Sequence, residues 1–295
     1  MKTLLPTEGV HPRTQRLDRV PPLQAARLLN AEDFNAARAV KQAAPALAQA
    51  IACAADTFLN KHKIIFIGAG TSGRLGILEA VECVPTFGVR PGQITGILAG
   101  GHKAMFRSVE NAEDNAAQGG KDVLKKARAG DFVLALTASG TTPYALGALQ
   151  AARQAGCRTA LLACNPKADT RNADIFICLN TGAEALSGST RMKAGSATKM
   201  ALNAITTGAM ARAGKIYGNL MVDVQPTNRK LVARATRLIG QIAQTDEATA
   251  ARCLHDARGS VKIAIIMHQK NCTYAAAKRL LQKHRGFLRE ALHEK

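Results

Sequence analysis

Lys63-Ile64-Ile65-Phe66-Ile67-Gly68-Ala69-Gly70-Thr71-Ser72-Gly73-Arg74 decides the fold. An unbroken apolar run ends in glycine, the pattern of a strand buried on both faces. The residues that follow satisfy GxGxxG and open a helical pattern over 73–83. Strand, glycine turn and helix make the first half of a βαβ unit, and the chain repeats the alternation. Apolar runs recur at 93–99, 131–137, 159–164 and 175–179, with helical patterns over 103–118, 121–128, 143–155 and 168–173. This predicts a mostly parallel sheet with helices on both faces.

Upstream, residues 1–22 carry Pro6, Pro12, Pro21 and Pro22 and read as an extended arm. Residues 23–59 read as two helices meeting near Pro45. Downstream, the Ala/Met/Thr-rich stretch 189–214 predicts a long buried helix. Beyond residue 219 come charged, Ala-rich helical patterns at 227–243, 247–255, 258–269 and 273–292, with Asp246 and Thr273 placed as caps.

The 295 residues are 47% apolar and 21% charged, which excludes wholesale disorder and suits about two domains. Forty Lys and Arg against 21 Asp and Glu give a net charge of +19, which points to anionic partners. Aromatics are only 4% and Trp is absent, which argues against a single-stranded nucleic-acid binder, since these use stacking platforms. The seven cysteines form no CxxC pair, so neither a zinc cluster nor a disulfide framework is expected, and a reducing compartment fits. The seven His lack ligand spacing, so no metal is expected. There is no signal-peptide core at the N-terminus and no apolar run of ~18 residues, so the expectation is a cytoplasmic protein that avoids the membrane.

The GxGxxG turn alone is weak. A dinucleotide site also needs an acid at the end of the second strand to hold the ribose. That strand ends Ile97-Leu98-Ala99-Gly100-Gly101, so NAD is rejected and no cofactor is expected. The anion chemistry of the turn survives: glycines admit the backbone, a helix N-terminus offers N–H groups, and Ser72 adds a hydroxyl. A second loop, Thr137-Ala138-Ser139-Gly140-Thr141-Thr142-Pro143, carries four hydroxyls before a Pro at a first helical position. Each loop alone is also compatible with an ordinary tight turn or capped helix. Two such loops at the carboxyl ends of strands in one sheet can face a common crevice.

This pair of loops resembles the SIS (sugar isomerase) domain, in which the two loops hold a sugar phosphate. The resemblance implies that Ser72, Thr137, Ser139 and Thr142 are phosphate ligands. Longer strings resemble the N-acetylmuramic acid 6-phosphate etherase family, which is glucokinase-regulator-like. They are residues 68–83, Ala99-Gly100-Gly101, Ala112-Glu113-Asp114, Thr181-Gly182-Ala183-Glu184, Arg191-Met192-Lys193-Ala194-Gly195, Gly218-Asn219-Leu220-Met221-Val222-Asp223-Val224 and, near the start, Thr7-Glu8-Gly9. Thr141 departs from the family pattern, where Arg is often seen. The implied fold is α/β, a SIS-type three-layer arrangement with a mostly parallel sheet and a small all-α C-terminal bundle of ubiquitin-associated type. The implied domains are 1–53, 54–217 and 218–295, and a homodimer is expected.

The acids are scarce. Glu79 and Glu82 are i, i+3 neighbours on the first helix, and the next segment carries Glu110, Glu113 and Asp114. Taken singly, each is most simply a solvated charge. The resemblance assigns Glu82 as proton donor and Glu113 as the second acid/base, in cleavage of a D-lactyl ether. A donor carboxyl must be protonated, and Cys83, Val84 and Pro85 suggest an apolar setting for Glu82. Glu184, Ser189, Arg191 and Lys193 are candidates to touch the sugar or the lactyl carboxylate, or else belong to a structural connection. The basic residues Arg279, Lys283, Arg285 and Arg289 read as a solvated face rather than a nucleic-acid patch. Two alternatives share the fold: an aldose–ketose isomerase and a non-enzymatic sugar-phosphate sensor.

Overall fold

The computed structural model describes residues 5–294. Two helices, α1 (Pro22–Gln42) and α2 (Ala44–Leu59), precede an alternating series. It runs β1 (Ile64–Gly68), α3 (Gly70–Phe87), β2 (Ile94–Leu98), α4 (Lys103–Phe106), α5 (Ala116–Leu124), β3 (Phe132–Thr137), α6 (Pro143–Gln154), β4 (Arg158–Ala163), β5 (Ile175–Cys178) and α7 (Lys193–Arg212). Five further helices follow: α8 (Arg229–Ala243), α9 (Glu247–Asp256), α10 (Val261–Lys270), α11 (Tyr274–Lys283) and α12 (Leu288–His293). The chain divides into two compact units, residues through Val81 with Gly92–Thr207, and Glu82–Pro91 with residues from Gly208 onward.

In the first unit the five strands are all parallel, in the order β2-β1-β3-β4-β5. The order reverses between β1 and β3, and crevices at such reversals are where α/β sheets bind ligands. Register sets Gly68 opposite Leu136, so the loops leaving β1 and β3 emerge side by side. Ile64 to Ile67 are all buried, as are all residues of β3, because helices cover both faces. Ile65, Ile67, Val133 and Leu161 pack with Val123 of α5 and Tyr144, Ala148 and Leu149 of α6. Phe66 points the other way, and α2 packs against β1, β3 and β5. The α5–α6 crossing is very close. A Cβ on Gly119 would meet the Tyr144 carbonyl at 2.0 Å, and one on Gly147 the Ala116 carbonyl at 2.2 Å.

The strands fall within a residue of their expected bounds, and α1 and α2 meet at Ala43 with Pro45 in the first turn of α2. Three helical expectations are corrected. Residues 103–118 do not form one helix: Arg107 is extended, Asn111 adopts a φ of +60°, and Asn115 starts α5 afresh by accepting from the Gln118 N–H. Residues 168–173 form no helix, because Asp169 turns back to bond Arg171 and its N–H donates to the Gly140 carbonyl. The last pattern is two helices, broken where Arg285 takes a φ of +52° and Gly286 one of +87°.

The second unit is helical. Asn228, Asp246, Ser260 and Thr273 cap α8 to α11, and the second and fourth of these are the caps expected from the sequence. Its core joins Leu238, Ile239, Leu254, Ile263, Ile265 and Leu288. Lys262 is buried there with all three donors used, on the Gly214 carbonyl (2.8 Å), Asp223 Oδ2 (2.7 Å) and the Gly286 carbonyl (2.9 Å). Among the described residues, no helix is long and apolar enough to cross a membrane.

Candidate active site

A cavity of about 350 Å³ opens in the first unit at the carboxyl ends of β1 and β3. One wall is the turn after β1, Ala69 to Ser72. Gly70 has a φ of +52°, a left-handed conformation that a side chain resists, and α3 begins at once. The first N–H groups of a helix have no partner within it, and Thr71 and Ser72 stand at that end.

The second wall is the loop after β3. Here three hydroxyls form a triangle: Thr137 Oγ1 to Thr142 Oγ1 at 2.7 Å, Thr137 Oγ1 to Ser139 Oγ at 3.3 Å, and Ser139 Oγ to Thr142 Oγ1 at 3.4 Å. Backbone N–H groups hold it, Gly140 donating to Thr137 Oγ1 and Thr141 to Ser139 Oγ, each at 3.2 Å. Pro143 opens α6 as its sequence position suggested, yet Thr142 does not cap the helix; its hydroxyl belongs to the triangle. All four residues chosen as phosphate ligands therefore line one cavity. Thr137 is the buried corner of the triangle.

Glu113 and Asp114 line the same cavity, from the irregular segment before α5. The Glu113 carbonyl accepts the Tyr144 N–H. Glu110 is exposed in that segment. Glu82, by contrast, belongs to the second unit and is exposed on α3, so the apolar setting expected for it is not found. Its neighbour Glu79 is the buried acid. Glu79 accepts from Thr206 Oγ1 at 2.6 Å and pairs with Lys199.

The 184–193 candidates separate. Glu184 is fully buried, and both its oxygens accept from the start of α7, the Lys193 N–H at 3.0 Å and the Ala194 N–H at 2.9 Å. Lys193 is also buried, its ammonium 2.7 Å from Glu32. Glu32 gathers Arg13, Asn35 and His11 as well. Burial pushes the Glu32 carboxyl up, but hydrogen bonds from Lys193, Arg13 and Asn35 outweigh it and hold it at about 2. Arg191 is exposed and Ser189 partly so; their neighbours Gly188 and Thr190 are the ones that line the cavity. The sequence reading of the site missed Thr7, Glu8, Thr71 and Thr190. The string Thr7-Glu8-Gly9 was the one signal for the arm.

A parallel β/α sheet with two hydroxyl-bearing loops around a crevice at its order reversal defines a SIS-type domain. The family model described as Glucokinase regulatory protein N-terminal SIS domain matches residues 46–153. Relatives cover almost the whole chain. An N-acetylmuramic acid 6-phosphate etherase of Photorhabdus laumondii is 43% identical over 97% of this chain and 96% of that protein. Proteins of the same name from Edwardsiella ictaluri and Pectobacterium atrosepticum are each 44% identical over 98% of this chain, covering 97% and 96% of their own. The chain belongs to the N-acetylmuramic acid 6-phosphate etherase family.

Proposed function

We propose that this chain cleaves the D-lactyl ether of N-acetylmuramic acid 6-phosphate, a carbon–oxygen lyase reaction giving N-acetylglucosamine 6-phosphate and D-lactate. The observation that carries the reading is the hydroxyl triangle Thr137, Ser139 and Thr142 in one cavity with Glu113. Hydroxyls and backbone N–H groups suit a phosphate, and a carboxylate beside them suits proton abstraction from a sugar held by that phosphate.

An ether is a poor leaving group, so the reaction needs an acidic proton nearby. Opening the sugar to its aldehyde acidifies the C2 proton. In our reading Glu113 takes that proton, the C3–oxygen bond breaks, and Glu82 protonates the departing lactate. Water then adds at C3 of the unsaturated aldehyde and a proton returns to C2, which regenerates both carboxyl groups. Ser72, Thr137, Ser139 and Thr142 hold the phosphate throughout, so the reacting carbons stay in register with the base. A proton donor works best with water excluded. Exposed Glu82 must therefore be covered in the working enzyme, and a second copy of the chain is the cover we infer. We place the enzyme in the cytoplasm, with the sugar phosphate as its small-molecule partner.

Purified protein and N-acetylmuramic acid 6-phosphate test the reading directly. D-lactate should appear with the amino-sugar phosphate. In deuterated, oxygen-18 water the label should enter C2 and the C3 hydroxyl of the sugar. Label in the lactate oxygen would mean that another bond breaks. Ketose formation from another sugar phosphate, without lactate, would make the protein an isomerase.

A further inference from the structure

We propose that Glu8, carried in by the N-terminal arm, is a further substrate-contacting residue of this cavity, its carboxylate accepting hydrogen bonds from the uncharged, acetamido-bearing part of the bound sugar phosphate. The inference rests on the sugar-phosphate reading above and adds to it a group that selects the sugar.

The arm is fastened independently of Glu8. The Gly188 N–H donates to the Thr7 carbonyl, and Ser187 Oγ to the Gly9 carbonyl, each at 3.2 Å. Further along, His11 and Arg13 reach the buried Glu32, which also holds Lys193. These bonds fix the short turn Pro6–Glu8 against the loop around Gly188. Glu8 lies there on the cavity wall, with Oε2 2.9 Å from where a Cβ on Gly188 would stand. It makes no ion pair among the described residues, although the chain has 40 Lys and Arg for only 21 acids. Glu8 is exposed, with no ion pair to the described residues, and the cavity gives its carboxylate a place.

Chemistry then selects what Glu8 meets. An ionised carboxylate only accepts hydrogen bonds, and it repels a phosphate. The cavity lining holds Glu8, Glu113 and Asp114 but no Lys or Arg. A ligand whose phosphate occupies the hydroxyl triangle must turn its neutral donors toward the acidic wall. In an N-acetylated amino sugar those donors are the ring hydroxyls and the acetamido N–H. Glu113 is committed to proton transfer in our reading, which leaves Glu8 and Asp114 to meet the sugar, and Glu8 is the one that the fastened arm brings in.

The test is calorimetric titration of the full chain with inorganic phosphate and with N-acetylglucosamine 6-phosphate, for the wild type, Glu8→Ala and Glu8→Gln. Glu8→Ala should weaken the sugar phosphate about tenfold or more, the worth of one good hydrogen bond to a charged group, and leave inorganic phosphate and the melting temperature unchanged. Glu8→Gln, which keeps an acceptor oxygen, should fall between. Unchanged sugar-phosphate affinity in Glu8→Ala overturns the inference alone. Equal loss for both ligands with a lowered melting temperature also overturns it, since that marks a structural role. A wild-type chain that binds no sugar phosphate overturns the functional reading as well.

Discussion

The Glu113 carbonyl accepts a hydrogen bond of 2.9 Å from the N–H of Tyr144, two residues beyond Thr142. The proposed base and the hydroxyl triangle thus share one rigid frame. Tyr144 is buried, and its hydroxyl donates to Asp122 Oδ2 of α5 at 3.0 Å. Burial, then Asp122, pushes the Tyr144 phenol well above its ordinary range, so it remains a donor at every working pH. Tyr144 of α6 therefore ties down both the acid segment, through Glu113, and the helix α5 that follows it, through Asp122.

Glu113→Gln keeps the backbone bond to Tyr144 and removes only the base. Lactate release should fall ~10²- to 10⁴-fold, the usual worth of general acid–base catalysis. Inorganic phosphate should titrate as in the wild type. A parallel loss of phosphate affinity would show that Glu113 supports the loop rather than the chemistry.

Glu82→Ala should abolish ether cleavage while sugar-phosphate binding persists. Lactate assay and calorimetry on the same preparation read the two properties. Near-normal turnover would remove Glu82 from the mechanism.

Thr142→Val preserves shape but deletes one corner of the hydroxyl triangle. It should raise KM about tenfold, the effect of roughly 1–1.5 kcal/mol for a lost hydrogen bond, with Thr142→Ser close to wild type. Steady-state kinetics on both variants decide it.

Gly119→Ala places a Cβ 2.0 Å from the Tyr144 carbonyl, against backbone that cannot step aside. Overpacking of this kind costs about 1–3 kcal/mol, readable in denaturant unfolding. Because the same contact frames Glu113, kcat should fall as well.

Glu32 makes acid stability testable. Its folded carboxyl stands at about 2, below the ordinary value of 4.5. Between those values the unfolded chain binds more protons than the folded one, so stability rises with pH. The contribution, of order 3 kcal/mol, is complete above about 4.5 and lost as the pH falls toward 2. Glu32→Gln should flatten that window in thermal melts. It should also destabilise the protein by ~3–5 kcal/mol at neutral pH by stranding Lys193.

The sheet was legible because its strands are continuous apolar runs, each closed by a turn residue, as in Ile64–Gly68 and Phe132–Thr137. The phosphate loops were legible for a local reason, since hydroxyls, glycine and Pro143 lie consecutively. What stayed hidden depends on distant partners. Glu184 and Lys193 looked like ligand groups. Glu184 is instead taken up by the N–H groups that start α7, 9 and 10 positions on, and Lys193 by Glu32, 161 positions away, which no local pattern encodes. The acids at 110–114 followed a helical rhythm, and Asn111 and Asn115 overruled it through backbone conformation and capping. Thr7 and Glu8 were hidden because a Pro-punctuated arm carries no periodicity to say which loop it will meet. The charge of +19 points to anionic partners, yet none of the cavity's lining residues is a Lys or Arg.

The pairing of β3 beside β1, Gly68 opposite Leu136, has a consequence for how this protein is made. The two halves of the proposed phosphate cradle are separated by some sixty-five positions and become neighbours only when β3 docks. A growing chain that has emerged only as far as β2 owns the glycine turn but not the hydroxyl triangle. Ligand capture thus reports that the centre of the sheet has closed, and a sugar phosphate present during synthesis would favour the correctly wound order over any other.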